Sequence, residues 1–362
     1  FSFNGNILII DLNMKIGNRK IGKEQKPFIV AELSGNHGGS VKKALKLIKL
    51  AKVAGADAVK IQTYTPEDIT LNVNKNDFII KNKFSPWNKK NLFKLYQKAH
   101  TPLDWHKDIF QYARKLNIIC FTSVFNQRRI EFLEKIGCPA YKIASFENNH
   151  YPLIKSVIKT NKPLIVSTGM MNLKEISQLV KFLKKFRKKN LAILKCSSSY
   201  PSKIEESNIK TIPYLKEKFK DIEVGLSDHT LGIAASCAAV SHGATIIEKH
   251  LVLNKKNKTV DSSFSVTPEE LKNLTSITNE IHRSLGKLNY KQSPNEIKNK
   301  KLKRSIYVIK DIKAGETISN NNIGIIRPGY GLSTEYYEKI LGKTCKINLF
   351  KGSAFKLEYL KK

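Results

Sequence analysis

The stretch IEVGLSDHTLGIAASCAAVSHGATIIEKH, Ile222–His250, decides the fold. An apolar run closing on Ser227 and His229 gives way to an amphipathic segment, and a second apolar run closes on Glu248 and His250. Strand, helix and strand in that order imply a parallel pair, since parallel neighbours need a crossover connection. The same grammar repeats upstream. FIVAEL ends near Glu32, DAVKIQT carries Lys60 and Gln62, IICFTS ends at Ser123, and AYKIAS carries Lys142 and Ser145. PLIVST then brings Ser167 and LAILKCSS brings Ser198. Eight strand–helix units within about 250 residues predict an α/β fold, a closed (β/α)8 TIM barrel whose C-terminal strand ends gather the chemistry on one face.

The helices between the runs are legible from their caps and stripes. Ser40 is placed as N-cap ahead of Ala44, Leu45, Ile48 and Ala51, and Leu173, Ile176, Val180 and Leu183 repeat the pattern after the fifth run. Thr267 as N-cap, Pro268, Glu270, then Leu271, Leu274, Ile281, Leu285 and Gly286 mark the last barrel helix. Tyr64 to Leu116 is long and is expected to hold a loop over the active face before its helix. These signals divide the chain into a leader or hairpin over 1–26, a catalytic barrel over 27–286, an exposed linker over 287–303 and a small β-rich module over 304–362. In that module IKAGETI (Ile312–Ile318) and LFKGSAF (Leu349–Phe355) form a weak internal repeat.

Composition narrows the function classes. The chain of 362 residues has 41% hydrophobic residues, and no apolar run approaches the ~18 residues of a membrane span. ILII near the start is too short for a signal-peptide core. Cys120, Cys138, Cys196, Cys237 and Cys345 show no CxxC spacing and read as reduced thiols of a cytoplasmic protein. The net charge of +34 invites a nucleic-acid reading, but the lysines are spread over helix faces. The one compact basic cluster, Lys298 to Arg304, falls in the linker. No nucleic-acid or membrane partner is expected. Nor does a GxGxxG or Walker motif follow any strand, so nucleotide cofactors are unsupported.

The sharpest chemical signal is His229 with His250, two imidazoles delivered to one rim by neighbouring strands. Two neutral histidines with open positions suit a divalent ion such as manganese, zinc or iron. Of the remaining histidines, His37 follows the first strand and is expected to shape that loop, whereas His100, His106, His150, His242 and His282 read as surface residues. Lys60 and Lys142, ringed by hydroxyls from Ser123, Ser145, Ser167, Ser198 and Ser227, make a polydentate cradle for phosphate and carboxylate oxygens. Glu32 and Glu147 are each placed to act as general acid or base, or to form a salt bridge with Lys60 or Lys142.

Those residues sit in motifs that resemble the sialic acid synthase family, the phosphoenolpyruvate-dependent nonulosonate synthases. AELSGNHGGS, GADAVKIQTYTPEDITLN, PAYKIAS, STGM, GLSDHT and EKH match in order and spacing, and RSIYVIKDIKAGE with RPGYG is similar to its antifreeze-like, or SAF, domain. KIQTYTPEDITLN, NDFIIKN, LDWH and AYKIASFEN most resemble the branch that makes pseudaminic acid. The resemblance implies condensation of phosphoenolpyruvate with an N-acetylated amino-sugar aldehyde, such as 2,4-diacetamido-2,4,6-trideoxy-altrose, with release of phosphate. It implies a divalent metal at His229 and His250, manganese first and magnesium or cobalt as alternatives. Lys60, Ser123, Lys142, Ser145, Ser167, Ser198 and Ser227 would hold phosphoenolpyruvate. Glu32 would act in catalysis and orient the sugar, held also by Gln62, Tyr200 and Asp261. Arg327, in RPGYG, would reach the active site of the other subunit of a domain-swapped homodimer. N-acetylneuraminate or legionaminate synthesis, another barrel aldolase or sugar-acid phosphate synthase, and a non-enzymatic carbohydrate or nucleic-acid binder stand as the other readings. Acceptor choice is expected to lie in loops such as 64–90 and 254–266.

Overall fold

The computed structural model describes residues 14–186, 190–256 and 258–361. The first thirteen residues of the expected leader lie outside that range. Two compact units divide the chain, Phe1–Gly286 and Lys287–Lys362.

In the first unit β1 (Met14–Ile16) and β2 (Arg19–Ile21) form an antiparallel hairpin. It lies against the N-terminal strand ends, where Arg19 Nε donates to Asp57 Oδ1 at 3.0 Å and the Lys15 amide donates to Asn190 Oδ1 at 3.2 Å. The barrel strands follow: β3 (Phe28–Glu32), β4 (Ala58–Thr63), β5 (Ile119–Val124), β6 (Tyr141–Ile143), β7 (Leu164–Ser167), β8 (Leu191–Cys196), β9 (Glu223–Asp228) and β10 (Ile246–His250). They close in sequence order, all pairs parallel, with β10 returning to β3. Every residue of β3, β8, β9 and β10 is buried, as strands covered on both faces must be.

The helices that cover the barrel are amphipathic. In α1 (Val41–Val53) Ser40 caps the Lys43 amide, and Ala44, Leu47, Ile48 and Ala51 are buried. Leu47 thus takes an inner position for which Leu45 was expected, and Leu45 only packs on the edge of the core. The expected stretch between β4 and β5 carries two helices rather than one, α2 (Leu92–Ala99) and α3 (Trp105–Lys115). Next come α4 (Ile130–Lys135), α5 (Tyr151–Ile158), α6 (Leu173–Phe186), α7 (Thr211–Lys218), α8 (Ala234–Ser241) and α9 (Pro268–Leu285). Leu173 and Leu285 are exposed, because each lies at a helix end beyond the reach of the barrel wall. At the start of α9 the Thr267 hydroxyl accepts from the Glu270 amide at 3.3 Å and the Glu270 carboxylate accepts from the Thr267 amide at 2.8 Å, a reciprocal cap.

The second unit has its own apolar core, with Ile306, Val308, Ile312, Ile323, Ile340 and Phe355 fully buried. Its stretch 287–303 holds a short exposed helix, α10 (Pro294–Asn299), followed by a 3-10 turn over Lys300–Leu302. Strands β11 (Ser305–Val308) and β12 (Ile323–Ile326) pair antiparallel. The weak repeat has a physical counterpart: Ile312 and Leu349 exchange backbone hydrogen bonds at 2.8 Å. Gly315 and Gly352, the central glycines of the two copies, share a left-handed φ of 88° and 89°, a conformation that glycine adopts without a Cβ penalty. Arg327 is exposed immediately after β12.

Candidate active site

Alternation along each strand decides which side chains reach the barrel mouth. Glu32, Lys60 and Gln62, then Ser123, Lys142, Ser227, His229, Glu248 and His250, occupy the inward positions, and the register sets them side by side. Glu32 pairs with Lys60 and with His250, Gln62 with Ser123, Ser123 with Lys142, and Ser227 with Glu248. Outward positions hold a separate buried pair, Lys249 Nζ to Asp228 Oδ2 at 2.9 Å, which fixes the β9–β10 edge beneath the helices.

At the bottom of the mouth two ammonium groups meet two carboxylates. Lys60 forms an ion pair with Glu32 and donates to Ser123 Oγ at 2.9 Å. Lys142 Nζ donates to Glu248 Oε2 at 2.8 Å, and Lys60 lies 3.7 Å from Glu248 Oε1. Burial would raise the Glu248 carboxyl, but Lys142 and Lys60 outweigh it and hold it down to about 2. For Glu32, burial outweighs the Lys60 charge and the carboxyl is raised. Of the salt bridges expected, Glu32 with Lys60 forms, whereas Lys142 takes Glu248 and not Glu147.

Above this layer several polar atoms are buried with no partner: Ser167 Oγ, Ser198 Oγ, Glu147 Oε2 and His250 Nδ1. Such groups cost free energy unless a ligand satisfies them. Gly169 keeps the ring tight, since a Cβ there would lie 2.1 Å from Ser198 Oγ and 2.8 Å from Ser145 Cβ. The Glu147 carboxyl is pushed up to about 7, with burial the main cause and the Lys60 charge opposing it.

The histidines stand together, their ring centroids 5.4 Å apart. His229 Nδ1 lies 2.8 Å from the Ser197 carbonyl, which can only accept, so Nδ1 carries a proton and Nε2 is the nitrogen left for a ligand. Burial would lower the pKa of this ring, but the neighbouring Cys196 thiol and the Ser197 carbonyl outweigh it and raise it. Burial holds His250 neutral, its pKa well below the ordinary value. Among the described residues no group of three or more His, Cys, Asp or Glu side chains is arranged as a metal cage. The donor set is therefore two imidazoles, His250 held neutral and His229 with Nε2 as its free nitrogen, which fits a divalent ion that completes its shell with oxygens from substrate or water.

A cavity of about 830 Å3 opens over this floor and is lined by Gln62, Ser145, Tyr200 and Asp261 as well as the lysines, upper serines and histidines. Tyr200 leans on His229 with ring centroids 4.5 Å apart. Asp261 is buried, its Oδ2 3.4 Å from the Gly35 amide and 3.9 Å from His250 Nδ1. Trp87 donates to the Val260 carbonyl at 3.0 Å and ties the β4–α2 loop to the loop after β10. Glu32 and Ser123 lie one layer lower, committed to Lys60. Arg327 belongs to the second unit.

Two features escaped the sequence reading. Glu248 anchors both lysines, and the signal was present: in EKH it stands two residues before His250, on the same strand face. His106 is fully buried rather than a surface residue, because its ring bonds Thr63 Oγ1 at 2.8 Å behind β4. His37 is also buried, and its Nδ1 accepts from the Gly39 amide at 3.2 Å within the loop it was expected to shape.

A parallel barrel with an anion cradle and two histidines at its C-terminal mouth defines a barrel enzyme, here followed by a small β module. Residues 47–290 match the NeuB family and residues 303–359 match the SAF domain, and the chain belongs to the NeuB family. It is 44% identical to a pseudaminic acid synthase of Campylobacter jejuni over 95% of this chain and 98% of that protein. It is 41% identical to the pseudaminic acid synthase of Helicobacter pylori over 88% of this chain and 93% of that protein. A crystal structure of N-acetylneuraminic acid synthetase from Leptospira borgpetersenii, in complex with citrate, superposes with a TM-score of 0.71 at 30% identity, covering 79% of this chain and 94% of that one. No described helix is long and apolar enough to cross a membrane.

Proposed function

We propose that this chain condenses phosphoenolpyruvate with the open-chain aldehyde of a 2,4-diacetamido-2,4,6-trideoxy-hexose, adding water and releasing phosphate to give a nine-carbon acid of the pseudaminic type. The observation that carries the reading is the layered mouth: a dilysine floor, unsatisfied serine hydroxyls above it, and two adjacent imidazoles beside it. The 44% identity to a pseudaminic acid synthase supports the choice of acceptor.

In this reading Lys60 and Lys142, with Ser145, Ser167, Ser198 and Ser227, hold the phosphate and carboxylate of the enol. Ser123 and Glu32 fix Lys60 from below. C3 of the enol forms a bond to the aldehyde carbon, and water adds at C2, where positive character develops. The tetrahedral C2 centre then breaks its bond to the bridging oxygen and expels phosphate. Glu147, with its carboxyl near 7, exchanges protons with the reacting oxygens. Gln62, Tyr200 and Asp261 orient the sugar. Enzymes of this family are generally metal-dependent; bound at His229 and His250, the ion, here taken as manganese, supplies Lewis acidity toward the aldehyde. We place the enzyme in the cytoplasm as a homodimer in which Arg327 of the partner subunit completes the sugar site.

The test is to supply metal-loaded enzyme with phosphoenolpyruvate and, separately, the trideoxy diacetamido sugar, its legionaminic counterpart and N-acetylmannosamine, following phosphate and the nine-carbon product. Highest kcat/KM with the trideoxy altrose sugar is expected. Best turnover of N-acetylmannosamine would overturn the acceptor and leave the condensation standing.

A further inference from the structure

Helix α2 carries an apolar stripe that does not join the barrel core. Leu92, Leu95, Tyr96 and Ala99 recur at the i, i+3, i+4, i+7 spacing of one helical face, and all four line the cavity. None belongs to the continuous core of the first unit, whose members in this region begin with residues of α3. Ile69 and Ile80 from the β4–α2 loop and Phe125 after β5 extend the same wall. Phe125 packs edge-on against Tyr64 with ring centroids 4.9 Å apart, which gives the wall a rigid back. A helix normally buries such a stripe against protein. Here the stripe faces the space that also holds the catalytic floor.

The topology says which end of a ligand meets it. The strand order places β9, which delivers His229, directly across the ring from β5, which delivers Phe125. A sugar whose aldehyde lies at the histidines extends its far carbons across the mouth toward α2. Phosphoenolpyruvate, anchored on the lysine floor, has one small apolar group, its enol methylene, and that is the carbon that must meet the aldehyde and not this wall.

We infer that the wall formed by Ile69, Ile80, Leu92, Leu95, Ala99 and Phe125 is the subsite for the methyl-bearing end of the acceptor, and that it selects a sugar deoxygenated at C6 over one with a hydroxymethyl group. The inference rests on the acceptor reading above and deepens it. A hydroxyl placed among these six side chains would lose its water, and none of the six has a polar side-chain atom to replace it; Tyr96 is the one member of the stripe with a hydroxyl. Apolar pockets discriminate modestly, so the preference is about tenfold to a hundredfold.

The experiment compares kcat/KM of the metal-loaded enzyme for 2,4-diacetamido-2,4,6-trideoxy-altrose and for its 6-hydroxy analogue, in the wild type, Leu95→Asn and Leu95→Met. Leu95 is only half-buried, so polar substitution there is tolerable to the fold. The wild type is expected to favour the deoxy sugar by the stated ratio. Leu95→Asn is expected to bring the ratio to about threefold or less with the KM for phosphoenolpyruvate unchanged, and Leu95→Met to keep it. If Leu95→Asn does not fold, Ile80→Asn in the loop serves the same comparison. Turnover of both sugars with a ratio that Leu95→Asn leaves unmoved overturns the subsite alone. No turnover of either sugar by the wild type, with N-acetylmannosamine consumed, overturns the acceptor reading and the subsite together.

Discussion

Lys142 and Glu248 stand on opposite sides of the barrel, on β6 and β10, yet their side chains meet at 2.8 Å in its centre. Both are buried, and Lys60 lies 3.7 Å from the same carboxylate. The pair fixes the lysine head on the axis of the mouth, where a bound anion would find it.

Removing one member therefore leaves a poorly compensated buried charge, since without Lys142 the Glu248 carboxylate keeps only the longer approach of Lys60 at 3.7 Å. Lys142→Ala is expected to lower stability by about 3 kcal/mol and to raise the KM for phosphoenolpyruvate at least tenfold. The double variant Lys142→Met/Glu248→Leu is expected to recover much of the stability and none of the affinity. Thermal melts with phosphoenolpyruvate titrations separate the two effects. A double variant that melts no higher than Lys142→Ala would show that the pair is not the unit of stability described here.

Ser167 and Ser198 should behave in the opposite way. Their hydroxyls are buried without partners, so they cost free energy in the empty protein and gain it back when an anion arrives. Ser167→Ala and Ser198→Ala are expected to leave the melting temperature of the ligand-free protein unchanged or higher. The KM for phosphoenolpyruvate should rise about tenfold, the worth of one charge-assisted hydrogen bond. A drop in ligand-free stability with unchanged KM would make them ordinary packing residues.

The barrel was legible because each strand is a short, largely buried run with a polar residue at or within two positions of its C-terminal end, a pattern that few folds other than a parallel barrel produce eight times over. The rim residues were legible for the same reason: strand-end positions are fixed by alternation alone. Partnerships were not. That Lys142 takes Glu248 across the ring and not Glu147 nearby in sequence depends on barrel radius and register, which no local pattern encodes. His106 was misplaced because its burial is set by Thr63, forty-three positions away. The α2 stripe was hidden since a periodic apolar face looks alike whether it packs on protein or lines a cavity.

Glu147 gives a pH signature. Its carboxyl titrates near 7 in the folded protein, above its ordinary value of 4.5. Between those values the folded state keeps the proton that the unfolded chain has released, so stability falls as pH rises from about 4.5 to 7 and the penalty is complete above 7. Glu147→Gln removes it. The variant is expected to be more stable than the wild type at pH 8 by about 1–3 kcal/mol and equal to it near pH 4.5, while losing most of its turnover. Thermal melts of the ligand-free proteins at the two pH values check this. An equal offset at both would mean the gain comes from packing and not from titration.

In the proposed metal site His229 and His250 would act as a pair. His229 has Nδ1 committed to the Ser197 carbonyl and its pKa is raised, whereas His250 is kept neutral by burial, so an ion binding at the pair would displace a proton from His229 Nε2 alone. Neither imidazole alone makes a site for manganese, whose remaining ligands would be exchangeable oxygens. His229→Ala and His250→Ala are each expected to weaken manganese binding at least a hundredfold by calorimetry in the presence of phosphoenolpyruvate, and to abolish metal-dependent phosphate release. Phosphoenolpyruvate itself should still bind, because the lysine floor and the serine ring hold it without help from either ring. Phosphate release at the wild-type rate in His229→Ala would remove that ring from the metal site, whatever happened in the other variant.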